Sequence, residues 1–320
     1  MGKAREWQYW TINKLQILSD YLPAFNRAST KSAERVYLDL MAGQPENVEA
    51  GTKELFDGSV RRAMSADPGF TRLAFIEADD RKAQSLADDL AQGFPGDSRG
   101  RVYSGDCNVV IDSVLHDLDS VRWAPTFAFL DQQGAEISWE TIEKVARFRR
   151  GKTKVELWTL LSPAMIVKGI KGSGGDGFAR RVDRLYGSDD WRRFIRAQEA
   201  GLLDAEGVRR EMVNLFRWLL EDRLGYKVTV RVPMRMKNSV AIYDMVFATD
   251  HPVGLKIMAD LYAKAVQREP QMQAEVRARE LNEVGGDTLF DVPVDMVQTE
   301  ATTWVNEPAW NPYETDWFRS

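Results

Sequence analysis

Four residues stand where short apolar runs stop, each of a type that can meet a polar ligand. Gly43 follows the run 36–41, Glu77 follows 73–76, Asp106 follows 101–105 and Asp131 follows 126–130. In an open parallel sheet, ligands sit beyond the carboxyl ends of the strands. A glycine there lets the backbone turn tightly beside a ligand. A carboxylate at the position of Glu77 can accept from both hydroxyls of a ribose. Asp106 can take an adenine amino proton, and Asp131 stands where a substrate would arrive. An acid at a strand end more often caps the helix that follows. Four such ends in series, at these intervals, point instead to a nucleoside-type cofactor pocket.

The elements that must position these residues alternate. Apolar runs at 36–41, 73–77, 101–106, 126–131 and 154–161 read as strands. Between them, 59–66, 80–92, 109–118 and 138–150 read as helices. That alternation is the signature of a parallel sheet wound with crossover helices. A helix is expected over 7–25, with Pro23 as its kink or end. Residues 44–58 read as polar and turn-rich. After the helix 209–223, strands at 227–234 and 241–249 are joined by a short polar link, a hairpin that closes the sheet antiparallel. A last helix is expected over 254–268. The expected organisation is one α/β domain over 1–268, interrupted by a basic insertion at 164–207. An acidic, Trp-rich extension follows over 269–320.

Charge divides the chain more sharply than its net −5 suggests. Residues 147–196 carry nine arginines and four lysines against five acids, a balance of +8. Residues 269–320 carry eleven acids against three arginines, a balance of −8. The first block can attract phosphates or be a set of solvated helix faces; the tail can shield that block or dock on a partner. Its tryptophans 304, 310 and 317 either pack back on the core or form a partner-binding strap.

Cys107 is the one cysteine and His116 and His251 the two histidines, so multi-cysteine and His-rich metal centres are disfavoured. Cys107 is expected to be a small buried residue, and His251 to serve turn geometry before Pro252. Gly172–Gly177 lacks the Lys-Ser/Thr of a phosphate-binding Walker loop and reads as a mobile lid. The opening residues lead into no signal-peptide core and no apolar run is long enough to span a membrane. A cytoplasmic chain is expected.

A wound parallel sheet ending in an antiparallel hairpin, without a Gly-x-Gly-x-x-Gly run, resembles the Rossmann-like fold of class I S-adenosylmethionine-dependent methyltransferases. A narrower resemblance rests on Tyr37-Leu38-Asp39-Leu40-Met41-Ala42-Gly43, Asp57-Gly58-Ser59, Phe75-Ile76-Glu77, Gly105-Asp106-Cys107-Asn108 and Phe129-Leu130-Asp131-x-x-Gly134. Trp139-Glu140-Thr141-Ile142, Leu185-Tyr186-Gly187-Ser188-x-x-Trp191 and Val246-Phe247-Ala248-Thr249-x-His251-Pro252 extend it. These segments, from about Trp10 to Ala265, resemble the three-Cys-motif partner proteins (TcmP). The resemblance implies a methyltransferase-like fold and a partner of the radical-SAM-like, three-cysteine-motif kind in a bacterial defence or mobile-element system.

Taken with the strand-end positions, a methyltransferase-like site would use Asp39, Gly43, Glu77 and Asp106 as contacts of S-adenosylmethionine. Asp131 and Gln132 would hold a target base, and Arg180, Arg181, Arg192 and Arg193 the phosphates of a nucleic acid. Two loops depart from the family pattern. Met41-Ala42-Gly43-Gln44-Pro45 stands where Phe-Ala-Gly-Pro-Gly is usual, and a side chain at 44 would crowd a cofactor carboxylate. Asp131-Gln132-Gln133-Gly134 stands where Asp-Pro-Phe-Gly is usual, which removes proline rigidity and an aromatic platform. The expectation is therefore a partner protein with a degenerate cofactor site; the alternative is an active methyltransferase acting on nucleic acid.

Overall fold

The computed structural model describes residues 6–172, 175–284 and 303–315. The chain opens with a two-residue strand β1 (Glu6–Trp7) and helix α1 (Tyr9–Ala28). There follow β2 (Val36–Asp39), β3 (Glu46–Glu49), β4 (Leu55–Asp57), α2 (Ser59–Met64), β5 (Arg72–Glu77), α3 (Asp80–Gly93), β6 (Gly100–Ser104) and α4 (Cys107–Asp117). Next are β7 (Thr126–Leu130), α5 (Trp139–Ala146), β8 (Glu156–Leu161), α6 (Pro163–Lys171), α7 (Gly175–Tyr186), α8 (Arg192–Glu199) and α9 (Ala205–Asp222). β9 (Val228–Arg235), β10 (Ala241–Thr249) and α10 (Pro252–Val284) complete the domain.

Seven strands form one sheet in the order β6-β5-β2-β7-β8-β10-β9. The first five run parallel, and β10 is antiparallel to both β8 and β9. This is the expected Rossmann-like architecture, a mostly parallel wound sheet closed by an antiparallel hairpin. Every residue of β2, β7 and β8 is buried, as continuous apolar strands covered on both faces require. Alternate side chains feed opposite layers. Leu38, Ala128 and Leu157 face Ile111, Ile142 and Phe216. Tyr37, Phe127 and Trp158 face Leu18, Tyr21 and Tyr262. The sequence reversal between β2 and β7 opens the crevice at the carboxyl end of the sheet.

Three expectations change. α1 does not stop at Pro23 but continues to Ala28. Buried Phe25 and Asn26 hold its last turns, and Asn26 Nδ2 donates to the Pro68 carbonyl at 2.8 Å; packing outweighs the lost backbone bond. The stretch 44–58 is not only turns: β3 pairs with β1 in parallel and with β4 antiparallel. Its half-exposed residues carry no hydrophobic period, so it is the pairing with β4 and with the distant β1 that reveals it as strand. α10 runs on past residue 268, through Pro270, to Val284, with Ala274 and Ala278 buried.

The insertion is helical and packs on the domain. Val182, Leu185, Tyr186, Trp191 and Phe194 share the core of the sheet. Of the expected glycine lid, residues 173 and 174 lie outside the described residues, and Gly175–Gly177 open α7.

The described tail residues lie against α9 and the edge strand β9. Trp304 Nε1 donates to the Arg231 carbonyl at 2.9 Å, and Trp310 N donates to Asn214 Oδ1 at 3.0 Å. Buried Arg217 donates to the Glu307 carbonyl at 2.7 Å. Both tryptophans therefore pack back on the core; residue 317 lies outside the described residues. Glu307 pairs with Arg231 and Arg210, outside the basic block over 147–196.

Candidate functional site

A cavity of about 750 Å³ lies at the carboxyl ends of β2, β5, β6 and β7. Gly43, Glu77, Asp106 and Asp131 all line it. The small β1–β3–β4 sheet contributes Trp7 and Asn47, α1 contributes Thr11, Lys14 and Leu15, and α7 contributes Arg181 and Arg184. The volume falls within the usual range of small-molecule sites.

Glu77 joins the strand ends. Its Oε2 accepts from Gly43 N and its Oε1 from Asp79 N, each at 3.0 Å. Its carbonyl accepts from Gly105 N at 2.9 Å. Gly43 sits at φ +65 and Gly105 at φ +132, conformations that disfavour any side chain. Each Glu77 oxygen has one backbone donor and retains further acceptor capacity. Asp106 caps α4, its Oδ1 accepting from Asn108 N at 2.8 Å. Its Oδ2 has no hydrogen-bond partner among the described residues. Two carboxylates on adjacent strand ends, with a glycine turn beside them, suit the hydroxyl and amino donors of a nucleoside.

Asp39 is placed differently from the expectation. It is fully buried behind the cavity wall, accepting from Met41 N and from the Tyr37 hydroxyl, each at 3.2 Å. It shapes the first loop from behind. Burial, reinforced by the nearby Asp131 carboxylate, lifts its pKa from 3.8 to about 7. The folded protein thus holds a proton that the unfolded chain releases. Stability from this group is complete below about pH 4 and is lost as pH rises through about 7. Asp39→Asn is expected to flatten the dependence of urea unfolding on pH across that window. An unchanged slope would remove Asp39 as its source.

Asp131 meets a partner that the sequence does not announce. Lys14 Nζ donates to both of its carboxylate oxygens at 2.6 Å. The lysine side chain is 4% exposed and the aspartate 25%. Lys14 also lies 5.9 Å from the Phe129 ring centre and 5.8 Å from that of Tyr243. Gln132 does not face the cavity. It is fully buried, its Oε1 accepting from Ile137 N at 3.4 Å and its Nε2 unpartnered among the described residues. Gln133 lines the cavity in its place, because successive residues leaving a strand point to opposite sides.

Asn108 ties the two halves of the site together. Its Nδ2 donates to Asp106 Oδ1 and to the Glu136 carbonyl, and its Oδ1 accepts from Ser138 N and the Thr141 hydroxyl, all within 2.9 Å. Gln44 lines the cavity, and Gly58 lets α2 close on the Gln44 carbonyl, 2.5 Å from where a Cβ would stand.

The four expected arginines separate. Arg181 lines the cavity, accompanied by Arg184, which is not one of the expected four. Arg192 pairs with Asp183 at 2.7 Å and stacks on Trp191. Arg180 and Arg193 are exposed and do not line the cavity. Cys107 is buried, and burial beside Asp106 pushes its thiol up to about 12, leaving no thiolate for nucleophilic chemistry. His251 Nδ1 accepts from Val253 N at 3.2 Å, a turn contact as expected. Among the described residues, no helix is long and apolar enough to cross a membrane.

No family model and no curated protein matches the chain. Solved structures resemble it at low identity. yhhF from Escherichia coli, a proposed methyltransferase, is 18% identical with a TM-score of 0.27, covering 40% of this chain and 58% of its own. This chain therefore spans little more than half the length of that protein. The plantazolicin methyltransferase BamL, solved with a desmethyl analog and SAH, is 9% identical with a TM-score of 0.37, covering 75% of this chain and 85% of its own. A dimethyladenosine transferase from Plasmodium falciparum is 9% identical with a TM-score of 0.34, covering 85% and 82%. The likeness is one of fold.

Proposed function

We propose that the protein binds S-adenosylmethionine in this cavity and directs methyl transfer to an acceptor that enters on the Asp131 side. One observation carries the reading: four separate strand ends bring Gly43, Glu77, Asp106 and Asp131 to a single cavity at the switch point of the sheet. Glu77 would accept the ribose hydroxyls and Asp106, through its free Oδ2, the adenine amino group. The Gly43 turn would leave room for the methionine end, with Gln44 at its side. The bound cofactor would supply an electrophilic methyl group on a positively charged sulfur. The chain's own work would be positioning and exclusion of water, which methyl transfer needs more than acid–base groups.

Asp131 and Gln133, rather than Gln132, would meet the acceptor, and nucleic acid is the acceptor class that the arginines of α7 favour. The test is incubation with methyl-labelled S-adenosylmethionine and mixed cellular nucleic acid. Label is expected in the nucleic acid with the native protein and not with Glu77→Ala.

A second reading is favoured by the Lys14–Asp131 ion pair. An acid already held by a buried ammonium is poorly free to grip a target amine, as a binding-only partner of a three-cysteine-motif protein in a defence system would tolerate. Under that reading S-adenosylmethionine binds, no label is transferred, and the neighbouring three-cysteine-motif protein copurifies.

A further inference from the structure

The geometry points to Arg181 and Arg184 as an anchor for a phosphate group of the acceptor, held at the cavity rim beside Asp131 and Gln133. The two arginines are three residues apart on α7, so their side chains leave the same helix face. Both line the cavity and both are exposed. Neither has an ion-pair or hydrogen-bond partner among the described residues. The nearby carboxylates are already engaged: Asp183 takes Arg192 at 2.7 Å, Glu140 takes Lys144 at 3.0 Å and Glu136 takes Gly134 N at 2.7 Å. Two guanidinium groups thus stand at one mouth with no ion-pair partner of their own among the described residues.

Arg181 is also pre-positioned. Its guanidinium stacks on the Phe178 ring, 4.8 Å from the centre. That ring is packed so closely on Gly169 of α6 that a Cβ there would come within 2.5 Å of it. The same ring lies 3.6 Å from where a Cβ on Gly134 would stand, in the loop that follows Asp131. A planar cation fixed on an aromatic support loses little freedom when it forks onto phosphate oxygens. The sequence block of +8 is thereby reduced to one pair at the cavity, since Arg192 is paired with Asp183 and Arg180 is not among the lining residues.

As an acceptor site the pair rests on the proposed methyl-transfer reading, so S-adenosylmethionine affinity is measured on the same samples. The probes are inorganic pyrophosphate and a fluorescein-labelled single-stranded DNA, titrated against the full chain, Arg181→Ala/Arg184→Ala, and the control Arg180→Ala/Arg196→Ala. The cavity pair is expected to weaken binding about tenfold or more, with the control within about twofold. If the phosphate belongs to a polynucleotide, DNA affinity falls and the logarithmic salt slope drops by roughly 1.4, two single-strand contacts. If it belongs to a small phosphorylated acceptor, only pyrophosphate affinity falls. Equal affinities of the native protein and the cavity variant for both probes would overturn the inference. Cofactor affinity unchanged in the cavity variant separates that failure from failure of the cofactor site. Arg184→Gln alone repeats the test with a smaller change should the double variant fold poorly.

Discussion

Glu77→Ala is expected to weaken S-adenosylmethionine binding at least about 100-fold while the protein stays folded. Two charge-assisted hydrogen bonds to ribose hydroxyls, each worth roughly 1.5–3 kcal/mol, account for a loss of that size. The same carboxylate also holds Gly43 N and Asp79 N at 3.0 Å, so its removal loosens the first loop as well. Glu77→Gln separates the two effects. The amide oxygen still accepts from one backbone N–H, and the amide nitrogen puts a donor where the other carboxylate oxygen accepted. Its affinity is expected to lie between those of the native protein and the alanine variant. Calorimetric titration with circular dichroism on the same preparations reads both effects. Native affinity in Glu77→Ala would remove the ribose role.

Asp131→Ala is expected to destabilise the fold more than Lys14→Met, although both break the same pair. The reason is the asymmetry of burial: Lys14 is 4% exposed and Asp131 25%. Loss of the aspartate strands an ammonium among Phe129, Tyr243 and the wall of α1, whereas loss of the lysine leaves a carboxylate that water can reach. Breaking a buried pair costs about 3–5 kcal/mol. About 3 kcal/mol is expected for Asp131→Ala and nearer 1–2 for Lys14→Met, given the residual exposure of Asp131. In a domain of this size that is a fall of roughly 6–12 °C in Tm for the first. Lys14→Met/Asp131→Ala should recover more than half of that loss, because no charge remains buried. Equal Tm values for Asp131→Ala and the native protein would show that the pair contributes nothing to folding. Any loss of activity in Asp131→Ala must accordingly be compared with Asp131→Asn, which keeps the shape and an acceptor for Lys14.

The strand-end residues were legible because a parallel sheet writes itself as continuous apolar runs, and the residue after each run is the ligand-side position by construction. Gly43, Glu77, Asp106 and Asp131 reach one cavity for that reason alone. Lys14 was hidden because it sits 117 residues from Asp131, on a helix whose apolar spacing gives no sign that one lysine turns inward. The β3–β4 hairpin was hidden because it is half-exposed, and its pairing with β1 is a contact between distant segments. Gln132 and Gln133 were exchanged by a single step of side-chain alternation, which a strand boundary placed one residue off will always reverse. Asn108 stood within a quoted motif, yet its four hydrogen bonds link α4 to the loop before α5 and have no sequence periodicity. The basic block was visible as charge, but only packing tells Arg192, paired with Asp183, from Arg181, aimed at the cavity.

Calorimetric titration of the full chain with S-adenosylmethionine tests the central claim most directly. One site with a micromolar Kd is expected for the native protein, lost in Glu77→Ala and retained in Arg181→Ala/Arg184→Ala. No heat of binding up to millimolar cofactor would contradict a nucleoside pocket built on Gly43, Glu77 and Asp106.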